Sequence, residues 1–324
     1  MAPYAAPTEE EDDMKIPRYW ASERQSAQDP NGKPFWFNCW RWSETSLDEA
    51  RQLAQAKAQE LVWKVQNGWI LDRYSYGDRP VREEIKQSIT THDGREVGII
   101  TRNPYGALVL NSANAMFIDI DLEQNAPPQD QQQSPALDLN EIANSLVSGF
   151  KSLFGGGQQQ PAQPPPRPAP LSRADTCIQR IESVARRHPD LDIRIYRTFA
   201  GFRCLITNYT FDPSNVVTTD ILRDIGADPL YMKLCRTQDS FRARLTAKPW
   251  RCGAHRPPSR FPWADRRQEA TYRNWEQQYQ SIASSYATCK LVKQIGGGRV
   301  HPDVAPILGT HDQLACSQHE LSLA

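Results

Sequence analysis

Between residues 124 and 172 the chain loses the means to build a core, and no other feature constrains its folding as much. Nine glutamines and nine prolines fall among the 47 positions from 124 to 170, together with the run Gly155, Gly156, Gly157. Such a stretch cannot bury enough apolar surface to offset the entropy of ordering it, so it reads as a flexible, disordered insert. It divides the sequence into an N-terminal α/β part at 16–123 and a basic α/β part at 173–262, followed by a helix and tail at 263–324. Residues 1–15, acidic and poor in apolar anchors, read as a disordered tail. Within the insert, Leu139, Ile142, Leu146, Phe150 and Leu153 recur at helical spacing. The 139–154 segment is therefore expected to form an amphipathic helix that docks on the body or offers a site to a protein partner.

The 324 residues suffice for a sizeable hydrophobic core. No apolar run approaches the length of a transmembrane helix, so no membrane partner is expected. The N-terminus, MAPYAAPTEEEDDMK, lacks the cationic start and apolar core of a secretory signal. Seven cysteines without a C-x-x-C pair suggest reduced thiols and a cytoplasmic location. Cys252 and His255 have metal-like spacing but no second pair nearby. The net charge of zero conceals an asymmetry. Residues 1–125 carry 14 basic and 20 acidic side chains, whereas residues 171–275 carry 19 basic and 11 acidic. A basic face able to meet an anion follows, unless the two parts simply pack with compensating surfaces.

Local patterns indicate an α+β fold. The aromatic stretch 35–42 reads as a strand. A helix follows, opened by a capping box of Ser46 and Glu49, with Leu47, Ala50, Ala54, Ala58, Leu61 and Val65 on one face and Gly68 at its end. A polar segment with Tyr74, Tyr76, Arg79 and Arg82 leads to short strands at 97–101 and 107–110. After the insert come a helix at 174–187, strands at 192–198 and 202–208 joined at Ala200-Gly201, and a helix at 214–225 stopped by Gly226. A basic strand at 240–246, a long helix at 264–289 and a Gly/Pro-rich tail complete the chain.

The most promising chemistry lies in MFIDIDL, residues 116–122. A continuous apolar run predicts a strand buried on both faces, and alternation places Asp119 and Asp121 on the same side. Two adjacent carboxylates at such a strand repel each other, and a hard divalent cation, Mg²⁺ or Mn²⁺, would keep both ionised. Downstream, RIYRTFAGFRCLITN carries Arg194, Arg197 and Arg203 around Gly201, where backbone and guanidinium groups could approach a phosphate. In FRARLTAK, period-two alternation sets Arg242 and Arg244 opposite Phe241, Ala243 and Leu245. Lys248 extends the basic run. Cys204 and Cys235 read as core thiols. G-x-S-x-G and Walker A motifs are absent from the sequence.

The order of these motifs resembles the catalytic core of the archaeo-eukaryotic primase superfamily, over residues 97–255 less the insert. MFIDIDL is similar to that family's first motif, whose aspartates bind divalent metal. YRTFAGFRCLI is similar to its second, with Arg203 where the family has a nucleotide-binding histidine. The resemblance implies a mixed or antiparallel, RRM-like sheet flanked by helices, with Asp119 and Asp121 as metal ligands and Asp228 as the third catalytic carboxylate. It also implies Arg197, Gly201, Arg203, Arg242, Arg244 and Lys248 at the nucleotide phosphates. The chain also resembles a bacterial family with the layout PYGALVL…FIDIDL…FRARLTAKPWRCG, which carries no activity over. Two functions follow as expectations: a Mg- or Mn-dependent nucleotidyltransferase acting on nucleotides or nucleic acid, or a catalytically silent module of the same fold that binds nucleic acid or protein.

Overall fold

The computed structural model describes residues 14–69, 80–122, 171–316 and 321–324. Residues 1–13, the segment with Tyr74, Tyr76 and Arg79, and the amphipathic 139–154 segment lie outside them. The described chain is α+β, with antiparallel sheets flanked by helices. It opens with the hairpin β1 (Tyr19–Gln28) and β2 (Pro34–Ser43), followed by α1 (Leu47–Gln66). Ala21, Ala50 and Ala54 form a small core where helix meets hairpin. Ser46 caps α1 by accepting from the Glu49 N–H, but the Glu49 carboxylate accepts from Ser43 Oγ instead of completing the box. Leu47, expected inside, is exposed.

Two four-stranded antiparallel sheets follow. One is built from β3 (Glu84–Thr90), β4 (Glu96–Arg102), β5 (Leu108–Ser112) and, arriving from much later in the chain, β9 (Phe241–Arg244). The other has the order β11 (Cys289–Ile295), β7 (Ile193–Thr198), β8 (Gly201–Ile206), β6 (Phe117–Asp121). The strands before and after residues 123–170 thus share a sheet, β6 pairing with β8 and β8 with β7. The basic strand β9 does not complete that sheet; it is the edge of the first one, paired to β5.

Helices α2 (Arg173–Arg187) and α3 (Val216–Ile225) contribute Cys177, Ile181, Val184, Ile221 and Leu222 to the main core, with Ile118, Ile120 and Cys204 of the second sheet. A capping box of Ser172 and Asp175 starts α2, a device worth about 1 kcal/mol. Next come α4 (Pro229–Gln238), a 3₁₀ turn at Pro249–Arg251, α5 (Arg266–Ala283), β10 (Tyr286–Ala287), α6 (Val304–Ala315) and β12 (Ser322–Leu323), which pairs with β10. The helix expected over 264–289 ends at Ala283, and the expected tail contains β11 and α6. Among the described residues, no helix is long and apolar enough to cross a membrane.

α5 is fastened to the first sheet by ion pairs. Glu276, 8% exposed in its side chain, meets Arg102 at 2.8 Å, Lys86 at 2.9 Å and Arg273 at 2.9 Å, while Arg273 also reaches Glu84. Burial pushes the Glu276 carboxyl up, but Lys86, Arg273 and Arg102 outweigh it and hold it below its ordinary value.

Candidate functional site

The site forms where the edge strands of the two sheets, β6 and β9, approach each other. On β6, Phe117, Asp119 and Asp121 face one way and Ile118 and Ile120 the other, as period-two geometry requires. Register sets Asp119 opposite Arg203 and Asp121 opposite Gly201 on β8. The free edge of β6 is held by the N-terminus of α4. The Asp228 N–H donates to Asp119 O at 3.0 Å, and Tyr231 Oη donates to Phe117 O at 2.7 Å. With its outer carbonyls engaged, this edge is not open for pairing.

Gly201 permits the close approach of β8 and β6. A Cβ built there would stand 1.9 Å from Ile120 O, so alanine must push the strands apart. Gly201→Ala is expected to cost about 1–3 kcal/mol of stability, measurable by urea unfolding. Unchanged stability would mean that the two strands have slack the geometry does not suggest.

One cleft is lined by Asp119, Asp121, Gly201, Arg203, Arg244 and Lys248. Arg251 joins them from the 3₁₀ turn, its guanidinium 4.1 Å from the centroid of the exposed Phe199 ring. Tyr105 and Trp250, in an edge-to-face pair with centroids 5.4 Å apart, are both exposed, and Tyr105 also lines the cleft. Lys248 and Arg256 lie over the Trp250 ring at 5.7 and 5.1 Å.

The cations differ in how they are occupied. Arg203, 4% exposed in its side chain, lies 3.6 Å from Asp119 Oδ1 through Nε, beyond hydrogen-bond length. Its Nη1 donates to Arg244 O at 2.9 Å and approaches His311 Nε2 at 3.3 Å. Arg244 is the least satisfied. Its Nε and Nη1 are shielded from solvent and have no hydrogen-bond partner. Burial, reinforced by the neighbouring Arg203, lowers its pKa to about 10. Burial and the charges of Arg244 and Arg251 also depress Lys248.

Three expected site residues lie elsewhere or are engaged. Arg242 also lines the cleft, but Nη2 is bidentate to Glu83 at 2.9 and 2.7 Å and Nη1 donates to Gln238. Its charge is thus neutralised within the fold. Arg197 is on the opposite face of its hairpin from Arg203, its guanidinium 4.9 Å from the Phe202 ring centroid and Nη1 donating to Gly201 O at 2.9 Å. Asp228 caps α4 by accepting from the Tyr231 N–H at 2.8 Å, and lines a neighbouring recess with Asp121 instead of the cleft. Among the described residues, no cluster of three or more His, Cys, Asp or Glu could hold a metal. The carboxylates lining the cleft are Asp119, Asp121 and Glu83, the last paired with Arg242.

Beneath Arg203 lies His311, a fully buried residue in the region expected to be a Gly/Pro-rich tail. Nδ1–H donates to Asp312 Oδ1 at 3.0 Å, leaving Nε2 to accept from Arg203. Tyr196 Oη and Arg194 also bind Asp312. Burial drives the His311 pKa down to about 4, with Asp312 opposing and Arg203 assisting. The unfolded imidazole, with an ordinary value near 6.5, takes up a proton that the folded one refuses. The stabilisation is thus complete above pH 6.5 and is lost as pH falls toward 4, by up to ~1.4 kcal/mol per pH unit. Urea midpoints measured from pH 7.5 to 4.5 should show this slope, and His311→Gln should flatten it. An equal slope in the variant would assign the effect to other groups.

Comparison with protein-family models, with curated proteins and with solved structures found no match.

Proposed function

We propose that this cleft binds the polyphosphate of a nucleotide together with a divalent cation, in the manner of a divergent primase-type nucleotidyltransferase. The observation that carries the reading is the excess of cations over partners. Arg203, Arg244, Lys248 and Arg251 face only Asp119 and Asp121 once Arg242 is discounted against Glu83. Shielded donors on Arg244 without acceptors are costly unless a ligand supplies oxygens. A phosphate does so with the geometry a guanidinium fork favours.

The two carboxylates suit Mg²⁺ or Mn²⁺ as hard oxygen ligands on one strand face. With no group of three or more ligating side chains among the described residues, they fit an ion shared with phosphate oxygens better than one caged by protein alone. Such an ion would supply charge neutralisation at the phosphates. The chain's own residues do the rest: Arg244 and Lys248 orient the anion, Arg203 stands beside Asp119, and the rim aromatics offer a surface for a base. Action in the cytoplasm accords with seven cysteines that are all free.

Isothermal titration should find that Mn²⁺ tightens the binding of a nucleoside triphosphate at least tenfold. In Asp119→Asn/Asp121→Asn that gain should vanish. Equal Mn²⁺ enhancement in the double variant would contradict the metal assignment.

The second reading, a binding module without catalysis, is favoured by one contact. Arg203 already lies within ion-pair reach of Asp119, where a catalytic metal would compete with it. Nucleotide binding without incorporation into a primed single strand would select this reading.

A further inference from the structure

The cysteines of the C-terminal region have an arrangement that the cleft does not use. Cys289 opens β11 and Cys316 directly follows α6, and the two face each other in an isolated parallel β-bridge. Adjacent strands run about 4.8 Å apart, and the Cα separation of a disulfide begins at about 4.4 Å. The backbones therefore already stand at bonding distance. Thr288, immediately before Cys289, fixes the register by donating its N–H and its hydroxyl to Ala315 O, both at 3.1 Å.

The two thiols differ in the way that such a pair requires. Cys289 is fully buried, whereas Cys316 is part-exposed, in contrast to the other six cysteines, which are all buried. The two thiols are in hydrogen-bonding contact with each other, and the Leu291 N–H donates to the Cys316 sulfur. These hydrogen bonds bring the Cys316 thiol down to about 7 despite burial and Asp312. The same contact, with burial, raises Cys289. A part-exposed thiol with a lowered pKa therefore sits beside a shielded one with a raised pKa.

We propose that Cys289 and Cys316 form a redox-active dithiol, with Cys316 as the sulfur that attacks hydroperoxides and Cys289 as the resolving thiol. The Cys316 thiolate attacks one oxygen of hydrogen peroxide and the O–O bond breaks. Sulfenic acid forms on Cys316, and hydroxide leaves and is protonated to water. Cys289 sulfur then attacks Cys316 sulfur, the S–O bond breaks, and the departing hydroxide carries the Cys289 proton away as a second water. Two thiols are oxidised by two electrons to one disulfide, and one peroxide is reduced to two waters. His311 Nε2, 3.8 Å from Cys289 Sγ, borders this pair on its buried side. The proposal does not depend on what the cleft binds.

The experiment treats the folded full chain with one equivalent of hydrogen peroxide, then unfolds it in denaturant, alkylates the remaining thiols and maps the peptides. Five of the seven cysteines should stay alkylatable, with Cys289 and Cys316 in one cross-linked peptide pair that dithiothreitol separates. Cys39→Ser should form the same cross-link, and Cys316→Ser should form none. Oxidation falling first on other cysteines would overturn the proposal. So would Cys316 halting as a sulfinic acid with Cys289 still alkylatable, or all seven thiols surviving in the wild-type chain.

Discussion

Glu83→Ala is expected to destabilise the protein by about 3–5 kcal/mol, the cost of leaving one member of a buried ion pair without its partner. The Glu83 side chain is 5% exposed and that of Arg242 13%, so solvent cannot rescue the stranded guanidinium. Thr101 Oγ1, which donates to Glu83 at 2.6 Å, would also lose its acceptor. The pair bridges β9 to the segment just before β3, the two outer strands of the first sheet, and its loss should loosen the wall that carries Arg244. Because the damage comes from an uncompensated charge, Glu83→Leu/Arg242→Met should recover most of the lost stability. Urea denaturation of the single and double variants measures both effects. A single-variant loss below 1 kcal/mol, or no recovery in the double variant, would show that the pair is effectively solvated.

Arg244→Met should have the opposite signature: weaker ligand binding with no loss of stability. Its Nε and Nη1 have no acceptor and its charge faces Arg203, so an apolar side chain of similar length relieves desolvation and like-charge repulsion. Stability should hold or rise by ~1 kcal/mol, while nucleotide affinity should fall on the order of 30-fold or more, equivalent to ~2 kcal/mol. Arg203 keeps its acceptor, since that bond goes to the Arg244 carbonyl. Functional sites commonly hold such destabilising groups. Paired titration and unfolding measurements separate the two quantities. A variant that loses stability and keeps its affinity would make Arg244 a structural residue.

What the sequence revealed was the chemistry carried by local periodicity. The apolar run before Asp119 specified β6 and the shared face of its two carboxylates. The alternation in FRAR specified the opposed faces of β9, on which Phe241 and Ala243 are indeed buried and the arginines less so. Partnership at long range was not legible. Glu83 and Arg242 are 159 positions apart, and nothing near either marks the pair that removes Arg242 from the phosphate set. No helix was expected over 229–238, yet Asp228 as cap residue, followed by proline at the first helical position, starts α4. The α6 helix was concealed by Gly296, Gly297, Gly298 and Pro302. Its buried Val304, Ile307, His311 and Ala315 have the spacing that would have exposed it. Strand β11 was read as part of the tail because most of its side chains are exposed, leaving no alternation to read.

Titration of the wild-type chain with a nucleoside triphosphate and Mn²⁺ at low and high salt tests most directly whether this cleft binds phosphate. Saturable one-to-one binding that weakens as salt rises is the predicted result, since screening acts on the exposed part of the cation cluster. A folded protein that binds no nucleoside triphosphate at millimolar concentration and low salt, with or without Mn²⁺, would contradict it.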